Sequence, residues 1–255
     1  MILLDQSSSM AANQKALMAS KAVNRVIYEV MLASRAGAKI KDRCYIGVIG
    51  YGVTIRPLVG GQISVVAAKP LRSETIQQLT PDGAGGLVYT PMDLPIWVEP
   101  LTDNGTPMAQ AMDQAFSLIE QWITNHRDSF PPIVINITDG EPDDFNVSTC
   151  EAPATTIAAK RLMDLKTDDG NLLLFNAHIT GQSTALGISL PASDTGLLDA
   201  YAKLLFKITS ILPPRFVDEA YKVGLSPQTG ARGLVFQGNE DSLIRFLTFG
   251  SSVAR

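Results

Sequence analysis

The chain has 255 residues, 45% of them hydrophobic and 18% charged, with a formal net charge of −4. That length and apolar content support a sizeable core, and one α/β domain can use the whole of residues 1–255. The mild acidity, with Lys and Arg scattered rather than striped, excludes the electrostatic footprint expected of a nucleic-acid or anionic-membrane binder. No apolar run is long enough to span a bilayer, and no basic segment followed by an apolar one opens the chain, so a cytoplasmic protein is expected. Met1 leads straight into the apolar run Ile2-Leu3-Leu4, which suggests a trimmed start. Cys44 and Cys150 form no C-x-x-C pair; they read as two buried free thiols rather than a zinc site, and a disulfide is left open.

Residues 1–4 form a short apolar strand that ends at Asp5. Residues 10–36 read as a helix, because Ala16, Ala19, Val23, Val26, Val30 and Ala33 recur at steps of three and four, with Gly37 as its stop. Residues 44–52 predict a buried strand, and residues 54–59 its hairpin partner. Residues 60–105 are rich in Gly and Pro and are expected to be a long inserted loop, functional or mobile, with one short helix over 73–79. Thr106-Pro107 suits a helix start, Thr as N-cap and Pro as first helical residue, with Met108, Ala111, Ala115, Leu118, Ile119 and Trp122 on the apolar face. The run Ile133 to Thr138 is almost continuously apolar apart from Asn136, as in a parallel strand covered on both sides, and it ends at Asp139-Gly140. A helix over 152–166, a strand over 172–179, helices over 197–210 and 216–223, a short strand over 234–236 and a terminal helix over 242–249 complete the order.

Strands thus alternate with helices. The expected fold is α/β: a doubly wound, mostly parallel central sheet flanked by helices on both faces, with one antiparallel edge strand. In such sheets ligands bind beyond the carboxyl ends of the strands. Three segments sit at such ends or at helix starts: Asp5-Gln6-Ser7-Ser8-Ser9, Thr106-Pro107 and Asp139-Gly140. Their side chains are small oxygen donors with no His or Cys among them. That set suits a hard cation such as Mg²⁺ and disfavours zinc and copper. Two carboxylates balance one divalent charge, and the hydroxyls add ligands without adding charge, so such an ion stays able to accept an anionic oxygen from outside. Taken one at a time, Ser9 and Thr106 are equally explained as ordinary helix caps, and Asp139-Gly140 as a turn.

The pattern Asp5-x-Ser7-x-Ser9, then Thr106, then Asp139-Gly140 resembles the metal-ion-dependent adhesion site of von Willebrand factor type A domains. Ser8 stands where that family commonly has Gly, a position Ser can fill if φ is negative, and the stretch before Thr106 exceeds the family's usual spacing. The resemblance implies a Rossmann-like fold in one domain. It implies hydroxyl ligands from Ser7, Ser9 and Thr106, and carboxylates from Asp5 and Asp139 acting directly or through water. It also implies Mg²⁺, with Mn²⁺ or Ca²⁺ as alternatives, and a protein partner that supplies a Glu or Asp. Bacterial cytoplasmic members of the tellurite-resistance type, linked to stress response and phosphorylation, are the nearest picture. No catalysis is expected. The alternative is a metal-assisted hydrolase or phosphatase on a similar sheet, but that would want a second acid where Ser7 stands. Glu141, Asp143 and Asp144 suggest either a second cation site or an acidic rim. His126 and His178 have no catalytic partner in the sequence and read as surface or structural. Trp97, flanked by Pro95 and Pro100, reads either as a partner anchor or as a pin for the loop.

Overall fold

The computed structural model describes residues 1–81, 83, 85–180, 187–197 and 200–252. Strand β1 (Ile2–Asp5) is apolar on both faces, and its alternation divides the core in two. Ile2 and Leu4 join one apolar cluster and Leu3 joins the other. A 3₁₀ segment, Ser8–Gln14, leads into α1 (Lys15–Ala33), so the expected helix over 10–36 begins later than its apolar stripe suggests. The delay has a backbone cause. Asn13 and Gln14 both adopt left-handed conformations, with φ of 54° and 58°, which break the helix between Met10 and Lys15. Gly37 has φ of 64° in the tight Arg35–Ala36/Lys39–Ile40 hairpin that follows.

Next come β2 (Tyr45–Tyr51) and its antiparallel partner β3 (Ile55–Gln62), then the short helix α2 (Ile63–Ala67). The structure differs from the expected loop with a helix over 73–79. Residues in that stretch form a ten-residue ladder, β4 (Arg72–Pro81) against β5 (Leu87–Ile96), separate from the main sheet. Thr75 and Ile76 are β-branched, and cross-strand bonds such as Thr75 Oγ1 to Asp93 Oδ1 (2.7 Å) favour pairing over helix. Pro91 and Pro95 are tolerated because a two-stranded ladder leaves an outer edge for a residue that cannot donate. Trp97 is a pin, not an anchor for a partner: its indole N–H donates to the Val66 carbonyl (2.7 Å) and the residue is 3% exposed.

The rest alternates: α3 (Met108–Thr124), β6 (Ile133–Thr138), α4 (Pro153–Asp164), β7 (Leu173–Ile179), β8 (Ile188–Ser189), α5 (Ala200–Lys207), α6 (Pro214–Lys222), β9 (Leu234–Gly238) and α7 (Glu240–Ser252). Residues 198–199, in the expected start of the helix over 197–210, lie outside the described residues. Among the described residues the main sheet has seven strands in the order β8-β9-β7-β6-β1-β2-β3. The four inner pairings are parallel; β3 is the expected antiparallel edge, and two-residue β8 adds an antiparallel edge on the other side. Helices α1, α6 and α7 pack on one face, and α3, α4 and α5 on the other.

Strand order decides where a site can form. The chain goes from β1 to β2 on one side, then crosses through α3 to place β6 on the other side of β1. The crossovers diverge at β1 and β6, opening a crevice at their carboxyl ends. Asp5 ends β1, and Asp139 follows β6.

Candidate metal centre

Four of the five expected ligands converge in that crevice. The Ser7 amide donates to Asp5 Oδ1 (2.8 Å), the Ser7 and Ser9 hydroxyls are 3.0 Å apart, and Ser9 Oγ donates to Asp139 Oδ1 (2.7 Å). Asp5 and Ser7 are buried, at 1% and 3% exposure. The capping explanation fails for Ser9. Ser7 is the N-cap of the 3₁₀ segment but makes no side-chain cap bond, and Ser9 turns its hydroxyl to Asp139 instead of to its own backbone. Ser8 is absent from the residues with positive φ, so the missing Gly brings no strain.

The loop that carries Thr106 is tied to Gln6 and to Asp143, neighbours in sequence of the other four residues. Gln6 holds β2 through its amide, which donates to the Tyr51 carbonyl (2.8 Å), and its own carbonyl accepts the Asp103 amide. Gly52 allows this approach, because a Cβ there would lie 3.2 Å from both Asp103 and the Gln6 carbonyl. Asp143 then takes the Thr106 amide on its Oδ1 (2.7 Å), while its own amide donates to the Thr106 carbonyl (3.0 Å). Thr106 is not the expected cap: the α3 N-cap is Pro107, one residue later, with no side-chain cap bond. Among the described contacts its hydroxyl is bonded to none of the other four residues.

Asp143 is therefore a clamp on the Thr106 loop. Asp144 accepts the Thr155 amide (3.0 Å) and hydroxyl, tying down the first turn of α4. These bonds engage two of the three acids offered as a second cation site, and among the described residues no cluster of three His, Cys, Asp or Glu side chains forms one.

Thr138 was not singled out in the sequence, yet it is central. Its hydroxyl donates to Asp5 Oδ2 (2.7 Å) and accepts the Gly140 amide (3.2 Å), fixing the Asp5 carboxylate and the Asp139-Gly140 turn together. Tyr201 of α5 approaches the same hydroxyl at 3.5 Å. Burial pushes the Asp5 carboxyl up to about 6 and outweighs the bonds from Thr138 and Ser7 that favour its charge; Asp139 adds to the rise. The phenols of Tyr51 and Tyr201 are pushed well above their usual value, chiefly by burial.

Beneath the site a buried polar chain crosses the sheet. Tyr51 donates to Asn136 (2.8 Å), Asn136 to Asn176 (3.0 Å), and Asn176 to Thr209 (2.8 Å), whose hydroxyl donates to the Leu205 carbonyl (2.6 Å). Asn136 is the polar interruption in the otherwise apolar β6, which is the signal that marks it in the sequence. Asn136→Ala strips a partner from Tyr51 and from Asn176 inside the core. It is expected to cost about 2–4 kcal/mol in a urea unfolding series, with an unchanged m-value.

One contact at the site was not foreseen. Asp139 Oδ2 accepts no hydrogen bond of ordinary length and is met by the Lys15 ammonium. The Asp139 side chain has no exposed surface and that of Lys15 is 14% exposed, so the pair is largely removed from water. Lys15 is the first cationic residue of the chain, which is its only mark in the sequence.

The histidines are structural. His126 stacks on Trp122 at 4.4 Å, with Nδ1 2.8 Å from the Trp122 carbonyl, and His178 stacks on Phe236 at 4.5 Å. The two cysteines form no disulfide with each other, and neither is buried as expected: Cys44 is half-buried and Cys150 exposed.

The chain matches no known protein-family model and no curated protein. Among solved structures it is similar to the ArnB paralog VWA2 from Sulfolobus acidocaldarius, at 14% identity over 70% of this chain, with a TM-score of 0.36. It is also similar to the three N-terminal domains of the type V pili tip protein Mfa5 from Porphyromonas gingivalis, at 15% identity over 55% of this chain, with a TM-score of 0.32. The matched parts are 33% and 19% of those two chains, and both likenesses are too slight to assign a family.

Proposed function

We propose that this chain is a von Willebrand factor A-type module that binds a protein partner through a divalent cation. Asp5, Ser7, Ser9, Thr106 and Asp139 would hold the ion, with Mg²⁺ as first choice and Mn²⁺ or Ca²⁺ as alternatives. A Glu or Asp of the partner would complete its shell. The supporting observation is the convergence of Asp5, Ser7, Ser9 and Asp139 at the crevice between β1 and β6, with hydroxyls turned to one another and to Asp139 rather than spent on helix caps. The Lys15 ammonium against Asp139 indicates that the pocket attracts positive charge.

The bound ion would act as a Lewis acid that attracts the partner's carboxylate. The chain's own residues do the rest. Thr138 orients Asp5, Asp143 holds the Thr106 loop in register, and the hydroxyls contribute oxygens without cancelling the ion's charge. Ser7 stands where a phosphatase of this sheet type needs a second acid, so the proposal has no catalytic step. The setting we propose is cytoplasmic, in bacterial stress response or phosphorylation signalling.

The test is capture of partners with and without chelator, repeated with Thr106→Ala. A genuine partner is released by chelator, is recovered on adding Mg²⁺, and loses affinity at least about tenfold with Thr106→Ala. Partners retained equally by chelated protein and by Thr106→Ala would defeat the proposal.

A further inference from the structure

Lys15 is placed with effort. The two residues before it, Asn13 and Gln14, hold φ of 54° and 58°, a region that non-glycine residues avoid. This double left-handed step ends the 3₁₀ segment and starts α1 at Lys15. From that position the side chain crosses to the carboxyl end of β6, and its ammonium meets Asp139 Oδ2. The other oxygen of the same carboxylate accepts the Ser9 hydroxyl at 2.7 Å. Each oxygen of Asp139 thus faces one group, the Ser9 hydroxyl or the Lys15 ammonium, and its side chain has no exposed surface.

We infer that Lys15 is the site's resident cation, which an incoming divalent ion must displace, so that the crevice alternates between a lysine-closed and a metal-loaded form. This rests on the metal-dependent reading of the same site. Both cations draw on the same carboxylate charge. Two buried carboxylates balance either a divalent ion or, less completely, one ammonium, and adding a divalent ion beside a retained ammonium would leave net positive charge in a covered crevice. The observed affinity for metal is then the intrinsic affinity reduced by the fraction of protein in the lysine-displaced form.

The consequence is specific to Lys15. Lys15→Met keeps the length and apolar packing of the side chain and removes the competing charge. Mn²⁺ titrated into the full chain, followed by calorimetry or by electron paramagnetic resonance of free Mn²⁺, should show at least about tenfold tighter binding in Lys15→Met than in the wild type, whereas Lys15→Arg should stay close to the wild type. A second readout needs no variant. Amine-directed labelling of the wild-type protein, quantified by mass spectrometry, should find Lys15 protected without metal and several-fold more reactive with saturating Mg²⁺, while other lysines do not change.

The outcomes separate the two ideas. If the wild type binds Mn²⁺ and Lys15→Met binds it no more tightly, or if Lys15 labelling is indifferent to Mg²⁺, the lysine inference falls and the metal site stands. If neither protein binds Mn²⁺ at millimolar concentration, the metal reading falls and takes the inference with it.

Discussion

Asp5→Asn is expected to raise the melting temperature of the metal-free protein at pH 7 and to abolish its response to Mg²⁺. The carboxyl of Asp5 is buried and lifted to about 6 in the folded chain, against about 3.9 in an unfolded one. The folded state therefore holds this proton more tightly than the unfolded state between those two values. Stability from this group is fully present below the unfolded value and declines as pH rises through about 6. At neutral pH the penalty is of the order of 3 kcal/mol.

Asparagine removes that charge and can keep both contacts. Its Oδ1 can still accept the Ser7 amide, and its Nδ2 can donate to the Thr138 hydroxyl, which then turns its own proton to the Gly140 carbonyl 3.1 Å away. A gain of roughly 1–3 kcal/mol corresponds to a rise of about 3–10 °C in a chain of this size. The gain should shrink as pH is lowered from 7 towards 4, where the wild-type carboxyl carries its proton. With Mg²⁺ the order narrows or reverses, because ligand binding stabilises only the protein that retains the carboxylate. Melting curves at pH 7 and pH 4.5, with and without Mg²⁺, test every part. An Asp5→Asn protein that is less stable than the wild type at pH 7, or that still gains from Mg²⁺, would contradict it.

Asn24→Ala should be the most damaging of the single changes considered. Asn24 lies on α1 and is 2% exposed. Its Oδ1 accepts the amides of Trp97 (2.9 Å) and Val98 (3.0 Å), and its Nδ2 donates to the Val98 carbonyl (2.8 Å). One side chain thus satisfies three backbone groups where the chain leaves the β4–β5 ladder. Truncation leaves all three without a partner beside Trp97 and Val98, which are 3% and 2% exposed. The expected loss is about 3–5 kcal/mol, since each stranded buried group costs about 1–3 kcal/mol and some recover water. Hydrogen exchange should show the Trp97 and Val98 amides losing protection. A loss under about 1 kcal/mol would mean that this anchor is dispensable.

Several features were legible because they are local. The period of α1 and α3, the apolar run of β6, the β2–β3 hairpin and the α/β alternation depend on residues close in sequence. Asp5 and Asp139 could be singled out because a polar residue ending an apolar strand marks the end of a sheet. The ladder over 72–96 was missed because its two strands are short of apolar alternation and full of proline. Such segments become strands only once each supplies the other's hydrogen bonds. Trp97 could not be assigned from its flanking prolines, because the carbonyl that takes its indole proton, at Val66, lies 31 residues away.

The sequence by itself determined the α/β class and the chemistry of the donors, because residue type and short-range period are properties of the chain alone. Only the tertiary structure decided that the Ser7 hydroxyl meets that of Ser9, that Ser9 bonds across to Asp139 rather than capping a helix, that Asp143 clamps Thr106, and that the Lys15 ammonium meets Asp139. The physical reason is the order of strands in the sheet. Reversing direction at β1 brings residues 5–15 against residues 138–143, and contacts between segments more than a hundred residues apart leave no period in the sequence to read.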